Sequence, residues 1–237
     1  MRSFSLLLLL VWVAGCSSTG SNTDGSSSTT TSNAGKGPTP KTAADIPESL
    51  KTDAYHYYGL SNSNPVKMQL TVPGAKGPQP GEQTIAFKEL KDDAAVFLTT
   101  RSGSLEGLGT EEVSLEKDGI YILSSTVGDI GGKSLEMPSE LKPGTTWSKP
   151  SEVKRNDGSV SKYDATFKVI GTEKVKTKAG DYDALLITSD GPAEVNGQKL
   201  RMKSKNWYAK DVGVVKVEIE TAPTKGSPQR IVIEATQ

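Results

Sequence analysis

What most constrains this chain is period-two alternation of apolar and polar residues, repeated along most of its length. Val66, Met68, Leu70 and Val72 alternate with Lys67, Gln69 and Thr71, and Tyr163, Ala165, Phe167 and Val169 alternate with Lys162, Asp164, Thr166 and Lys168. The same spacing recurs in Val215, Val217 and Ile219 against Lys216, Glu218 and Glu220, and in Ile231, Ile233 and Ala235 against Arg230, Val232 and Glu234. Successive side chains of a strand point to opposite faces, so these runs read as strands with one buried and one wet side. Such strands belong to antiparallel sheets. Asn156-Asp157-Gly158 and Asn196-Gly197 supply residues that tolerate positive φ between the runs, which suits tight hairpins.

The pattern predicts strands over about 54–59, 65–72, 83–90, 94–101, 111–116, 119–126, 151–155, 160–170, 173–178, 181–189, 199–208, 214–221 and 229–236. The implied class is mainly all-β: a large curved antiparallel sheet or open half-barrel, with at most one short helix. That helix is expected over 43–54, where Pro47 argues against continuity.

The first residues carry a different signal. Arg2, the apolar run from Phe4 to Val13 and the small residues Val13-Ala14-Gly15 before Cys16 describe a secretory leader. Its apolar stretch is shorter than the roughly 20 residues that cross a bilayer. Val13-Ala14-Gly15-Cys16 resembles the lipobox of bacterial lipoproteins. The resemblance implies acylation, with palmitate among the chains, at Cys16, the one cysteine of the chain. Several acyl chains, each contributing about 0.8 kcal/mol per buried CH₂, make such attachment permanent. Ser17 and Ser18 follow, and serine there usually accompanies export to the outer membrane in that family. The expected organisation is a signal peptide over 1–15, a lipidated Ser/Thr/Gly-rich tether over 16–47 and a single β-rich domain over 48–237. The expected address is the cell envelope, lipid-anchored at the outer membrane and facing the periplasm or the cell surface.

The C-terminal half carries a further resemblance. Leu141-Lys142-Pro143-Gly144-Thr145-Thr146-Trp147, Phe167-Lys168-Val169-Ile170-Gly171, Ala179-Gly180-Asp181-Tyr182-Asp183-Ala184-Leu185, Trp207-Tyr208-Ala209 and Val212-Gly213-Val214-Val215-Lys216 follow one another in order. The arrangement looks like a group of bacterial envelope proteins known as domains of unknown function, some of which accompany surface pili. It implies a half-barrel similar to that of periplasmic lipoprotein carriers, and it covers about 141–220. It brings no catalytic residue with it.

Chemistry-bearing constellations are sparse. His56 is the one histidine, set in Tyr55-His56-Tyr57-Tyr58, and no Gly-x-Ser-x-Gly elbow accompanies it. Ser151-Glu152-Val153-Lys154 matches Ser-x-x-Lys, a pattern common by chance in a chain rich in both residues. Asp181 and Asp183 lack the repeated carboxylates of a calcium loop, and there is no Cys/His cluster for zinc. Neither a cofactor nor a metal is expected, nor catalysis. The formal net charge of +0 offers no large basic surface for nucleic acid. One strip stands out. Lys199, Arg201, Lys203, Lys205 and Trp207 occupy every second position and should share a strand face. They form a candidate surface for an anionic ligand or partner, unless Glu218 and Glu220 on the next strand neutralise them. Two functional readings follow. One is a non-enzymatic, lipid-anchored binding or carrier module holding a hydrophobic or amphipathic ligand. The other is an accessory of an envelope or pilus-type assembly that works through sheet edges. The expected partners are the membrane, through the anchor, and a lipid or an envelope protein.

Overall fold

The computed structural model describes residues 42–224 and 226–237; the leader, Cys16 and the tether as far as residue 41 lie outside them. Among the described residues the strands are β1 (Val66–Thr71), β2 (Gln79–Lys91), β3 (Ala94–Gly103), β4 (Glu111–Glu116), β5 (Gly119–Ser125), β6 (Gly128–Asp129), β7 (Ser134–Pro138), β8 (Thr146–Arg155), β9 (Val160–Thr177), β10 (Gly180–Val195), β11 (Gln198–Ala209), β12 (Gly213–Pro223) and β13 (Gln229–Ala235). They form one open antiparallel sheet in the order β6-β8-β9-β10-β11-β12-β13-β1-β2-β3-β4-β5-β7. The C-terminal strand therefore lies in the middle of the sheet, paired with the first: Met68 faces Ala235 and Leu70 faces Ile233.

The sheet stays open because its edges, β6 and β7, do not pair with one another. They are nevertheless close. The chain leaves β5, pairs at β6 with β8 on the opposite edge, returns to β7 beside β5, and then enters β8. Side chains complete the crossing. The Trp147 indole N–H on β8 donates to the Glu136 carbonyl on β7 at 3.2 Å, and Lys149 on β8 pairs with the Glu136 carboxylate. Trp147 also stacks on Phe167, with centroids 5.3 Å apart, which ties the seam to the main ladder.

The largest core lies on the inner face of the sheet. It joins Ile85, Phe97, Val113, Leu115 and Ile120 from one half to Val169, Leu185 and Ile187 from the other. Between them sits the N-terminal segment, contributing Ile46, Leu50, Ala54, Tyr55 and Leu60. This segment corrects two expectations. The strand over 54–59 is a helix, α1 (Asp53–Tyr58). The helix over 43–54 is two 3-10 turns, Ala43–Asp45 and Glu48–Leu50, separated at Pro47, which has no N–H to continue the ladder. Tyr and His at 55–58 favour strands locally, but here they pack across the inner face of the sheet rather than along one of its edges. The helix turns Ala54 and Tyr55 into the core, and Gly59 ends it in the left-handed region at φ 83°.

Three smaller differences have similar causes. Residues 160–170 and 173–178 are one strand, β9, which passes Gly171 and carries a bulge against β10 at Leu186/Ile187. Below that bulge the β9–β10 hairpin contributes Val175, Ala184 and Leu186 to a small second core on the outer face with Trp207 and Val215. The Ala179 N–H at the hairpin tip reaches the Ala235 carbonyl at 3.1 Å. Strand β8 begins at Thr146 rather than 151, and β6 and β7 were not anticipated.

Candidate functional site

The inner face is not filled along its whole length. Beyond α1 it holds two adjoining, half-open hollows of about 240 and 250 Å³. The first is walled by Met68, Leu105, Val214, Val217, Ile219 and Ile233. Met68, Val217, Ile219 and Ile233 belong to the alternations legible in the sequence; Val214 does not, because a bulge against β11 at Trp207/Tyr208 turns it inward and sends Val215 to the outer core, and Leu105 comes from a loop. Val127, Ile130, Val153, Ala165, Phe167 and Met202 wall the second. Glu111, Ile122 and Lys149 line both, so the two chambers meet at a charged waist.

That waist is held by partly desolvated ion pairs. Arg101 on β3 donates from Nη2 to Glu111 Oε2 at 2.7 Å, from Nε to Gln83 at 3.0 Å and from Nη1 to the Gly109 carbonyl at 3.1 Å. The second pair is Lys149 with Glu136 across the seam. The four charged side chains are between 12 and 21 % exposed. Arg101 cradles the loop after β3 as well as neutralising Glu111, so its guanidinium is fully engaged.

Two tyrosines complete the first chamber. Tyr58 ends α1 and Tyr208 stands on β11. Burial pushes both phenols well above their usual range, and the Glu136 carboxylate pushes them further in the same direction. Both are protonated at neutral pH. Neither hydroxyl has a hydrogen-bond partner among the described residues, and both residues are half-buried and line the chamber.

Alpha-1 is fixed to the sheet beneath this chamber. The Asp211 N–H, in the β11–β12 turn, donates to the His56 carbonyl at 2.9 Å. His56 Nδ1 lies 2.6 Å from Asp211 Oδ1, and the Ser61 hydroxyl donates to the same oxygen at 2.9 Å. These hydrogen bonds, the His56 one foremost, hold the Asp211 carboxyl below its usual value. Backbones touch here: a Cβ on Gly59 would lie 2.7 Å from Gly213 Cα.

The sequence candidates fall elsewhere. His56 serves the α1 contact, and Ser61 donates to the aspartate rather than to the imidazole. Ser151 and Lys154 project from opposite faces of β8, since they are three apart on a strand. Asp183 pairs with Lys174 at 3.1 Å. No group of three or more metal-ligating side chains occurs among the described residues.

The strip Lys199, Arg201, Lys203, Lys205 and Trp207 does share one face, the outer one, opposite the cavities. Its register sets Lys203 against Glu220 and Lys205 against Glu218, as the sequence suggested. The charges pair differently. Glu218 takes Lys216 at 3.2 Å and Arg230 at 2.8 Å, while Arg201 binds Asp190 through two bonds at 2.7 and 2.8 Å. Trp207 is buried in the outer core and donates to Glu173 at 2.8 Å, leaving it no surface for a ligand. A depression of about 660 Å³ runs beside Lys203 and Lys205, but carboxylates line it as well.

The edges carry their own chemistry. Val169 N–H donates to the Thr145 carbonyl and Arg155 N–H to that of Ser159, so odd-numbered residues of β8 face β9. The even-numbered ones face the free edge, and among them Pro150 has no N–H to offer. Sequence reasoning missed Arg101, Glu111, Glu136, Lys149, Tyr58 and Tyr208 altogether. They lie far apart along the chain, and only the placing of β6, β7 and α1 brings them together.

Residues 120–221 match a family model described as DUF3108-like, under half of the 237 residues. The stretch 141–220 that resembled envelope domains of unknown function lies inside that match. No curated protein matches the chain. Among solved structures, one of a candidate exported protein with a YmcC-like fold from Bacteroides fragilis is 11% identical, with a TM-score of 0.52. It covers 77% of this chain and 98% of its own. One of a candidate lipoprotein from Parabacteroides distasonis is 12% identical, with the same TM-score, and covers 77% and 97%. At those identities the likeness is one of fold.

Proposed function

We propose that this chain is an exported, lipid-anchored and non-enzymatic binding or carrier module of the cell envelope, which holds a hydrophobic or amphipathic ligand on the inner face of its sheet. The observation that carries the reading is the pair of apolar chambers meeting at a charged waist. Jointly they fall within the roughly 300–1,000 Å³ of small-molecule sites, and they combine apolar walls with a few convergent polar groups, as such sites do. The anchor reading rests on Val13-Ala14-Gly15-Cys16, and the outer-membrane address on Ser17 and Ser18 after it. The similarity to a candidate exported protein and a candidate lipoprotein is in keeping with an envelope role.

The assembly reading is weaker. It needs a long, open strand edge. One edge strand is Gly128–Asp129 alone, the other ends at Pro138, and the exposed stretch of β8 is interrupted by Pro150.

Native mass spectrometry of the full chain, purified from envelopes in mild detergent, tests the carrier reading. The expected result is a copurifying lipid-sized adduct that is lost in Val217→Phe and Met202→Trp, which fill the two chambers. Unchanged or raised melting temperatures would accompany that loss. A bare wild-type protein that takes up no hydrophobic compound on titration would overturn the reading.

A further inference from the structure

We infer that the inner cavity selects an uncharged ligand with two apolar arms on either side of a central carbonyl, of the ester or amide kind. The inference rests on the carrier reading and narrows it. A ligand with a single terminal head group fits a pocket whose polar groups lie at one end. Here the space is divided almost equally, about 240 and 250 Å³, and the charged residues common to both halves, Glu111 and Lys149, stand where the halves meet, with Arg101 and Glu136 paired to them from the first half. Each half exceeds the ~150 Å³ of a cavity that takes up benzene.

The charges at the waist exclude a charged ligand. Arg101 is matched by Glu111 and Lys149 by Glu136, so the four side chains sum to zero. A carboxylate or ammonium brought in by the ligand would displace one partner and leave a charge uncompensated where water is scarce. A plain hydrocarbon is disfavoured by the opposite argument. Tyr58 and Tyr208, which line the first chamber together with Glu136 of the waist pair, carry two phenolic O–H donors with no partner among the described residues. A carbonyl oxygen accepts two hydrogen bonds and carries no charge, so it answers both requirements.

Calorimetric titration of the full chain with three probes of twelve carbons each tests this: hexyl hexanoate, dodecanoate and dodecane. Hexyl hexanoate should bind at least tenfold more tightly than dodecanoate. In the double variant Tyr58→Phe, Tyr208→Phe its affinity should fall about tenfold while that of dodecane stays the same. Dodecanoate binding as tightly as the ester would overturn the inference, and so would a well-folded double variant that keeps the ester preference. If the variant fails to fold, the wild-type ranking alone decides. Either failure leaves the carrier reading standing, whereas no binding of any probe would remove both.

Discussion

Gly213 is the residue on which the register of the N-terminal segment turns. Its φ of 98° lies in the left-handed region, and a Cβ there would stand 2.9 Å from the Tyr58 carbonyl. Gly213→Val therefore combines backbone strain with a clash, and should destabilise the fold by about 2–4 kcal/mol. A thermal melt within a degree of wild type would contradict this. Its neighbour Asp211 supplies a pH signature. The folded carboxyl titrates below the unfolded value of about 3.9 because it accepts from His56 and Ser61. A lowered folded pKa contributes stability above the unfolded value and loses it as pH falls through the folded one. The wild-type melting temperature should drop below about pH 4, and Asp211→Asn should flatten that drop; parallel acid limbs would argue against the linkage. Gly213 is legible as a turn residue from Ala209-Lys210-Asp211-Val212-Gly213, which suits a hairpin slightly longer than the tightest ones. Its contact with Tyr58 is not legible, because nothing local in the sequence ties residue 58 to residue 213.

Among the elements, the seam is the weak line and the β9–β10–β11 ladder the strong one. Strand β7 is hydrogen-bonded on one side only, and Trp147 and Lys149 link it to β8. Trp147→Phe keeps the stack on Phe167 but removes the indole donor, a loss of about 1 kcal/mol. Amide exchange in 134–138 should then run roughly fivefold faster, with β9 and β10 unaffected. Uniform acceleration across the sheet would mean that the seam is not a separate unit. Long strands such as β9 and β11 were legible because one face is continuously wet and alternation survives over many residues. Short edge strands left no such trace. Gly128–Asp129 has two residues, and Ser134–Pro138 lies between Gly131-Gly132 and a proline, so both read as loop. Alpha-1 was misread because its aromatics favour strands locally, while its place over the inner core, set by Ala54 and Tyr55, is a tertiary feature with no local trace.

At the scale of the molecule, the alternation fixes the sheet and its wet side, but not how far the sheet curls. That depends on where the chain crosses the seam. The cavities and the waist follow from the curl, which is why the sequence pointed instead to the outer basic strip, a linear feature. The anchor belongs to this scale too. Cys16→Ser should release the protein into the soluble fraction and abolish incorporation of labelled palmitate. Label still entering the variant would refute the assignment of Cys16.

The pairing of β1 with β13 sets the order of assembly. Residues 68–71 find their partners at 232–235, so this ladder closes a loop of more than 160 residues. Each flanking run of hairpins can form from neighbours in sequence as soon as it is made. The join between the two runs must wait for residues 229–235. Until then the facing edges of β1 and β12 are unpaired, and a chain lacking residues 229–235 would have only the seam and the inner core to hold its two halves together.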